Sequence, residues 1–391
     1  MSNVGDTVEV EIERILPGGL GLAHADGLTL FVHLAAPGDL VRVVIERTKG
    51  KIAFAAIKEI ITPGSARIEP PCPYFGRCGG CDFQQLNYET QLQTKVEMIR
   101  DCLHRLGGFD PIPEVSIHPS PSEWHYRARA NWQLDRATNE LGYFERGSNQ
   151  VCDVEFCAVL VPELQKTLEG VRQQMEHGAA LGKNIEAVAG DEAISVASDL
   201  GALETKVVSR TVAGETYQFS AAGFFQVNHD LLEPILQEAI GEATGDTAVD
   251  LYCGVGLFTL PLARRFKKVF GVESNRTATD FARANLKSAS LSGAHVATAR
   301  VGDWLHEHAR ELGSVDFVLL DPPRTGAENK DIQGILMLRP SQISYVSCDP
   351  ATLARDLKKL LAGGYKLSSI KAFDMFPQTH HVETVVVLNR S

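Results

Sequence analysis

The sequence predicts an α/β protein whose last part is a Rossmann-like, doubly wound sheet, preceded by an OB-like β-barrel and a mixed α+β central region. Three observations carry this expectation. From about residue 236 onward, short apolar runs alternate with amphipathic helical stretches, the pattern of a parallel sheet with helices on both faces. The first of those runs, Val249-Asp250-Leu251, passes directly into Tyr252-Cys253-Gly254-Val255-Gly256, a strand followed by a Gly-rich turn at a helix start. Residues about 5–62, by contrast, alternate apolar and polar positions between turn signals and show no helical period. The expected boundaries are 1–63, 64–235 and 236–391.

Composition sets the outer limits. A chain of 391 residues is too long for one ordinary core, and two or three domains are expected. With 44% apolar and 22% charged residues it has the make-up of a globular protein. No apolar run approaches the roughly 20 residues of a membrane helix. The start, Met-Ser-Asn-Val-Gly-Asp, has no basic segment leading into an apolar core, so the expectation is a cytoplasmic protein without membrane association, acting as a monomer. The net charge of −11 argues against a broadly basic nucleic-acid coat, so any such contact must use a local patch.

In the first region, Val8-Glu9-Val10-Glu11-Ile12 alternates as a half-buried strand does, Gly18-Gly19 marks a turn, and Thr29-Leu30-Phe31-Val32 reads as a second strand. Val41, Val43 and Ile45 alternate again, as do Ala53, Ala55 and Ile57. Four or five short strands in about 60 residues suggest a small barrel, a shape that often binds single-stranded nucleic acid. Six Lys/Arg against eight Asp/Glu over residues 5–62 would confine such a role to one face.

The segment Pro71-Cys72-Pro73-Tyr74-Phe75-Gly76-Arg77-Cys78-Gly79-Gly80-Cys81 puts three of the eight cysteines within ten residues. Such crowding argues for a metal or cluster rather than a disulfide framework, and the glycines let the backbone fold tightly enough for three thiolates to converge. A fourth ligand must come from afar, with Cys152 and Cys157 as candidates. Zinc or an iron–sulfur cluster would accept four thiolates.

From Asn87 a helix is expected, with Tyr88, Leu92, Val96, Ile99, Leu103 and Leu106 as its core stripe and Gly107-Gly108 as its end; Cys102 reads as a packed thiol. Trp124 to Trp132 reads as a strand whose Tyr126, Ala128 and Ala130 face one way and whose Arg127, Arg129 and Asn131 face the other, a face equally suited to solvent or to RNA contacts. Ala221 to Asn228 leads into a helix with Leu231, Leu232, Ile235 and Leu236, the joint to the last region.

There, Lys268 to Glu273 is a second strand ending in an acid, a third strand closes at Gly302-Asp303, and Phe317 to Leu320 leads a fourth into Asp321-Pro322-Pro323. The fifth, Ile343 to Val346, ends just before Cys348, and Pro350 suits the first turn of a helix. Ligands of open α/β sheets bind at that strand edge, which makes Cys348 a candidate nucleophile, although a thiol beside a buried strand is more often inert. Val385 to Leu388 is the last buried strand.

The order Asp250-x-x-x-Gly254-x-Gly256, then Glu273, Asp303 and Asp321-Pro322-Pro323 is similar to S-adenosylmethionine-dependent methyltransferases. Arg324 stands where amino-group methyltransferases place a stacking aromatic, which disfavours N-methylation. Across essentially the whole chain the sequence resembles the RNA (uracil-5-)-methyltransferases, in particular the ribosomal-RNA branch. The resemblance rests on Phe225-Gln226-Val227-Asn228, Asp321-Pro322-Pro323-Arg324-Thr325-Gly326, Ser347-Cys348 and Asp374-Met375-Phe376-Pro377-Gln378-Thr379-His380-His381-Val382-Glu383.

The resemblance implies a TRAM domain over the first 60 residues and a [4Fe–4S] cluster on Cys72, Cys78, Cys81 and Cys157. It also implies S-adenosyl-L-methionine held by Gln226, Tyr252, Gly254, Gly256, Glu273, Asp303 and Asp321, with Cys348 as nucleophile and Glu383 as base. Arg127 and Arg129 are the candidate RNA contacts. Two positions depart from the family pattern. Asp349 stands where Asn is usual and could raise the thiol's pKa, and Leu257 replaces an Asn that in some members touches the cofactor.

The chemistry explains the residue types. Uracil C5 is a poor nucleophile, but thiolate addition at C6 makes C5 an enolate carbon able to take a methyl group. A carboxylate within reach must then remove the C5 proton, and the base must be flipped or unpaired to be attacked. The expected function is therefore 5-methyluridine formation in RNA, most simply 23S ribosomal RNA. Transfer RNA is the alternative within the class, and a non-catalytic RNA-binding iron–sulfur protein the alternative outside it.

Overall fold

The computed structural model describes residues 3–199 and 206–391. Its N-terminal sheet has six strands in the order Thr7–Glu11, Leu40–Lys49, Ile52–Thr62, Leu28–Val32, Gly21–Ala25, Arg14–Ile15. The first strand bends at Ile12-Glu13, so one half pairs with Leu40–Lys49 and its continuation with Gly21–Ala25. That bend closes the sheet around Val10, Leu30, Val32, Val41, Val43, Ile45, Ala53 and Ala55, the inward positions of the alternation.

The central region is a five-stranded antiparallel sheet ordered Val151–Asp153, Glu140–Phe144, Arg129–Asp135, Asn184–Ala189, Ile194–Ser198. The helix Pro162–Glu176 covers one face through Leu164, Leu168 and Val171. The strand expected over Trp124–Trp132 begins only at Arg129. Before it the chain crosses between two loops: Arg127 N–H bonds Val159 O and Ala128 N–H bonds Val227 O, so there is no room for a regular ladder. Tyr126, Ala128 and Ala130, expected on one face, are all buried.

The C-terminal sheet has eight strands, ordered Ala294–Thr298, Phe266–Glu273, Gly245–Leu251, Phe317–Leu320, Gln342–Ser347, Glu383–Arg390, Tyr365–Phe373, Ser116–His118. The first five are parallel, and Glu383–Arg390 enters antiparallel between Gln342–Ser347 and Tyr365–Phe373. The order reverses between Gly245–Leu251 and Phe317–Leu320, so Tyr252 and Asp321, the residues after those strands, flank the crevice where such sheets take ligands.

Three expectations are corrected. The third strand is Ala294–Thr298, and Asp303 sits in the first turn of the helix Val301–Leu312, because Arg300 already turns the chain into helix. The helix expected up to Leu106 is regular only over Tyr88–Cys102; a wider turn then leads to Gly108, whose φ of 74° ends it and leaves Leu106 exposed. Finally, the boundaries are not contiguous in space. Helix Tyr88–Cys102 packs Ile99 and Cys102 against Leu353, Ala354 and Leu357, and strand Ser116–His118 joins the last sheet. The hairpin Val208–Val212/Glu215–Phe219 buries Tyr217 and Phe219 in that core too. Parts of 64–235 are thus built into the C-terminal body, because their apolar residues share its core.

Candidate active site

Gly254 and Gly256 have φ of 54° and 94°, and Tyr252 has a φ of 63°, so the turn after Gly245–Leu251 depends on left-handed backbone that glycine adopts without cost. Glu273 ends the next strand, and its carboxylate accepts from Gly254 N–H at 3.3 Å and Asn275 N–H at 2.7 Å. Tyr252 donates its hydroxyl to the nearly buried Asp331 at 2.6 Å, a partner absent from the expected site. Asp303 meets Lys330 at 3.3 Å. Asp250 is fully buried beneath the turn; Thr259 donates to it at 2.5 Å, while its other oxygen has no partner. Burial pushes its carboxyl up to about 8.

Gln226 lies on the 221–228 crossing, which Arg129 fastens by donating to Ala221 O and Gly223 O while also pairing with Glu186. Phe225 stacks on Phe219 with ring centroids 4.1 Å apart, and Asn228 caps the following turn. Leu257 is buried in the apolar core, and its carbonyl accepts from Tyr217 O–H at 3.0 Å.

Cys348 follows the strand Gln342–Ser347. Its neighbour Asp349 is the N-cap of helix Pro350–Ala362, its carboxylate accepting from Thr352 N–H at 2.7 Å. The last pair of the antiparallel ladder is Ser347 with Thr384, so Glu383 stands across from Cys348. Glu383 is almost fully buried with one carboxylate oxygen unpartnered.

Burial, then the Glu383 and Asp321 carboxylates, push the Cys348 thiol up to about 12, while Arg324 pulls it down and Asp349 adds a small upward push. Burial and then Asp321 raise Glu383 well above the carboxylate range, again against Arg324. Asp321 itself is lifted to about 7 by burial. Arg324 therefore faces two groups whose anions it favours. Its guanidinium lies 3.3 Å from His381 Nε2, an imidazole that burial, then His380 and Arg324, lower to about 3, so His381 is neutral and can accept from Arg324.

Cys72, Cys78, Cys81 and Cys157 line one cavity, with Arg127, Tyr74, Tyr143 and Phe156. Cys152, the other candidate, is buried in its strand and is not part of the lining. The cysteine loop is held by pairing with strand Glu140–Phe144 at its end: Gly79 N–H bonds Phe144 O at 2.9 Å, and a Cβ at Gly79 would meet that oxygen. Arg127 turns inward with its Nε enclosed and unpartnered beside the thiols. Burial raises Cys78 to about 11 and Cys81 to about 12; Arg127 counteracts this at Cys81 and Cys157. Among the described residues, no three His, Cys, Asp or Glu side chains are gathered closely enough to hold a single metal ion.

The structure thus brings Cys348, Glu383 and Asp321 together and sets the Gly254–Gly256 turn across the sheet's switch point from Asp321. It turns Arg127 and Arg129 inward, onto the cysteine cavity and the 221–228 crossing. Sequence reasoning missed Asp331, and also Asp82, Gln91 and Lys95, which hold the 374–382 loop. Gln91 and Lys95 are polar residues buried on a helix whose apolar stripe pointed elsewhere, and nothing local marks them.

Residues 160–391 match the tRNA (uracil-5-)-methyltransferase family, and residues 1–58 match the TRAM domain. A 23S rRNA (uracil(1939)-C(5))-methyltransferase of Alkalilimnicola ehrlichii is 32% identical over 98% of this chain and 96% of its own. One of the same name from Vibrio parahaemolyticus is 31% identical over 98% and 96%. An uncharacterised RNA methyltransferase of Aquifex aeolicus is 30% identical over 97% and 98%. Among solved structures, the tRNA (uracil-54, C5)-methyltransferase of Pyrococcus abyssi, bound to S-adenosyl-L-homocysteine, has the same fold. It has a TM-score of 0.74 and 24% identity over 97% of this chain and all of that one. With more than half of its length covered by the family match and a relative above 30% identity along nearly all of it, this chain belongs to the tRNA (uracil-5-)-methyltransferase family.

Proposed function

We propose that the protein forms 5-methyluridine in RNA, with ribosomal RNA, probed first in its 23S species, as the substrate class. The observation that carries the reading is the register that sets Glu383 across from Cys348 at the end of adjacent strands, with Arg324 favouring both anions. The ribosomal assignment is supported by the full-length relatives of that name.

Cys348 Sγ forms a bond to uracil C6, and the C5–C6 π electrons move onto the C4 carbonyl oxygen. S-adenosylmethionine, when bound, supplies an electrophilic methyl, and Gly254, Gly256, Glu273, Tyr252, Asp303, Gln226 and Asp321 are the residues to hold it. With C5 methylated, the Glu383 carboxylate takes the C5 proton; the C5–H electrons re-form the C5=C6 double bond and expel the Cys348 thiolate. The unpartnered Glu383 oxygen is the acceptor for that proton. The orphan oxygen of Asp250 and the open Gly turn fit a polar ligand at the switch point.

The cysteine cavity fits an inorganic group held by Cys72, Cys78, Cys81 and Cys157, since all four thiols line it and a [4Fe–4S] cluster takes four thiolates. Four thiolates on such a cluster leave net negative charge, which the enclosed Arg127 guanidinium would offset. Absorbance of anaerobically purified protein tests this, since a colourless sample rules the cluster out.

The function itself is tested by mapping 5-methyluridine in ribosomal RNA of a deletion strain and by denaturing gels of protein incubated with 5-fluorouridine RNA and S-adenosylmethionine. Fluorine cannot leave as a proton, so a covalent adduct persists. No adduct from the parent protein, or an equal yield from Cys348→Ala, overturns the reading.

A further inference from the structure

The loop 374–382 delivers Glu383 to the site, yet it is buried and belongs to no helix or strand. Buried irregular backbone must find hydrogen-bond partners in other parts of the chain. Here many come from residues 82–126, outside the loop's own strands. Lys95 pairs with Asp374 and donates to Phe376 O at 3.0 Å. Tyr126 O–H reaches Pro377 O at 2.9 Å. Gln91 both donates to the Gln378 side chain at 3.0 Å and accepts from Gln378 N–H at 2.9 Å. Asp82 N–H and Phe83 N–H both donate to Gln378 O, at 3.1 and 3.0 Å. Asp82 then grips His380 twice, accepting from its main-chain N–H at 2.8 Å and meeting Nδ1 at 2.5 Å.

Two of these anchors are covalent neighbours of the cysteine cavity. Asp82 follows Cys81, Tyr126 precedes Arg127, and both Cys81 and Arg127 line that cavity. Arg146 ties the same corner down by donating to Cys81 O at 2.6 Å. From His380 the contact runs on: its ring lies 4.1 Å from that of His381, which in turn meets Arg324. Nothing about catalysis requires a cysteine cavity to touch the loop of the base, so the contact calls for a role.

We propose that Asp82 is a positioning residue for proton removal: it couples the cysteine cavity to the catalytic loop by holding His380, and so sets the Glu383 carboxylate at the uracil face. The inference rests on the reading of Glu383 as the base. An enzyme with a slack loop still binds RNA and still adds Cys348 to C6, but it removes the C5 proton slowly. A reacting group displaced by about 1 Å costs on the order of 100-fold.

The test uses the full-length protein, ordinary RNA and S-adenosylmethionine. Asp82→Ala is expected to lower kcat about 10- to 100-fold with KM for RNA little changed, and to accumulate a denaturation-resistant protein–RNA adduct on ordinary uridine. Iron per chain and the visible spectrum, measured alongside, stay at parent values. His380→Ala gives the same phenotype from the other side and carries the test should Asp82→Ala fail to fold. The double variant falls no further than either single one. Asp82→Asn keeps an acceptor for His380 N–H and recovers part of kcat. Parent-like kcat in both single variants overturns the proposal, as does a loss appearing as raised KM without adduct or as lost iron. A parent protein that makes no 5-methyluridine overturns the functional reading instead, and this inference with it.

Discussion

Glu383 stands across the antiparallel ladder from Cys348, one residue beyond the Ser347–Thr384 pair. Cys348 thus follows the end of one strand and Glu383 opens the next, each at the point where strand meets loop. The two have different tasks in time, and their variants should separate accordingly. Cys348→Ala should abolish the 5-fluorouridine adduct. Glu383→Gln should still form a covalent adduct, now on ordinary uridine RNA, and turn over about 10²- to 10⁴-fold more slowly. Quenched time courses on denaturing gels read both. A Glu383→Gln protein that turns over normally removes Glu383 from the mechanism.

The pH dependence follows from the sign of the two shifts. The Cys348 thiol is raised to about 12 by burial, Glu383 and Asp321, so its thiolate is scarce at neutrality. Its fraction grows about tenfold per pH unit below that value. Glu383 is raised by burial and Asp321, so its basic form also gains as pH rises. Both trends have the same sign. Single-turnover adduct formation should climb steadily from pH 6.5 to 9, with Arg324→Gln lying below the parent throughout. A rate that is flat or falls over that range contradicts the assigned groups.

Asp349 resolves into a helix cap that also nudges the thiol. Asp349→Asn keeps a side-chain oxygen for Thr352 N–H and should leave stability within a few tenths of a kcal/mol, whereas Asp349→Ala should cost about 1 kcal/mol. Removing the carboxylate should speed adduct formation modestly at pH 7 in the Asn variant. Urea titrations and adduct kinetics on the same preparations check the two effects separately.

Lys95 and Asp374 form an ion pair with both side chains fully buried. Lys95→Met leaves Asp374 charged and unpaired, and should cost about 3–5 kcal/mol. Lys95→Met combined with Asp374→Leu should recover much of that loss, because the cost lies in the stranded charge rather than in the missing bond. Equilibrium denaturation of the parent, the single and the double variant measures it, and a double variant no more stable than Lys95→Met alone contradicts the account.

The architecture was readable because its signals are local. Alternation put Val41, Val43 and Ile45 inside the barrel, and the Gly254–Gly256 turn announced a ligand-binding strand edge. Less was readable where packing across long sequence separations overrides local pattern. The helix Tyr88–Cys102 shows an apolar stripe that fits the core, but its polar Gln91 and Lys95 are buried too, gripping a loop some 280 positions away. Arg127 and Arg129 looked like an open basic face; their actual partners, the cysteine cavity and the 221–228 crossing, come from other parts of the chain.

By itself the sequence determined which residue types are available to react: a thiol after a buried strand, an acid at the start of the last one, a Gly-rich turn, and four cysteines able to share one ligand. Tertiary structure alone decided which of them meet. Strand order places Cys348 beside Glu383 and Asp321 across from the Gly turn, and burial shifts each acid and thiol far from its value in water. It also decided that Asp82, next to the cysteine segment, should hold the loop before Glu383 through His380. Neither outcome is written in a local pattern, because register and burial arise only when segments hundreds of residues apart exclude water together.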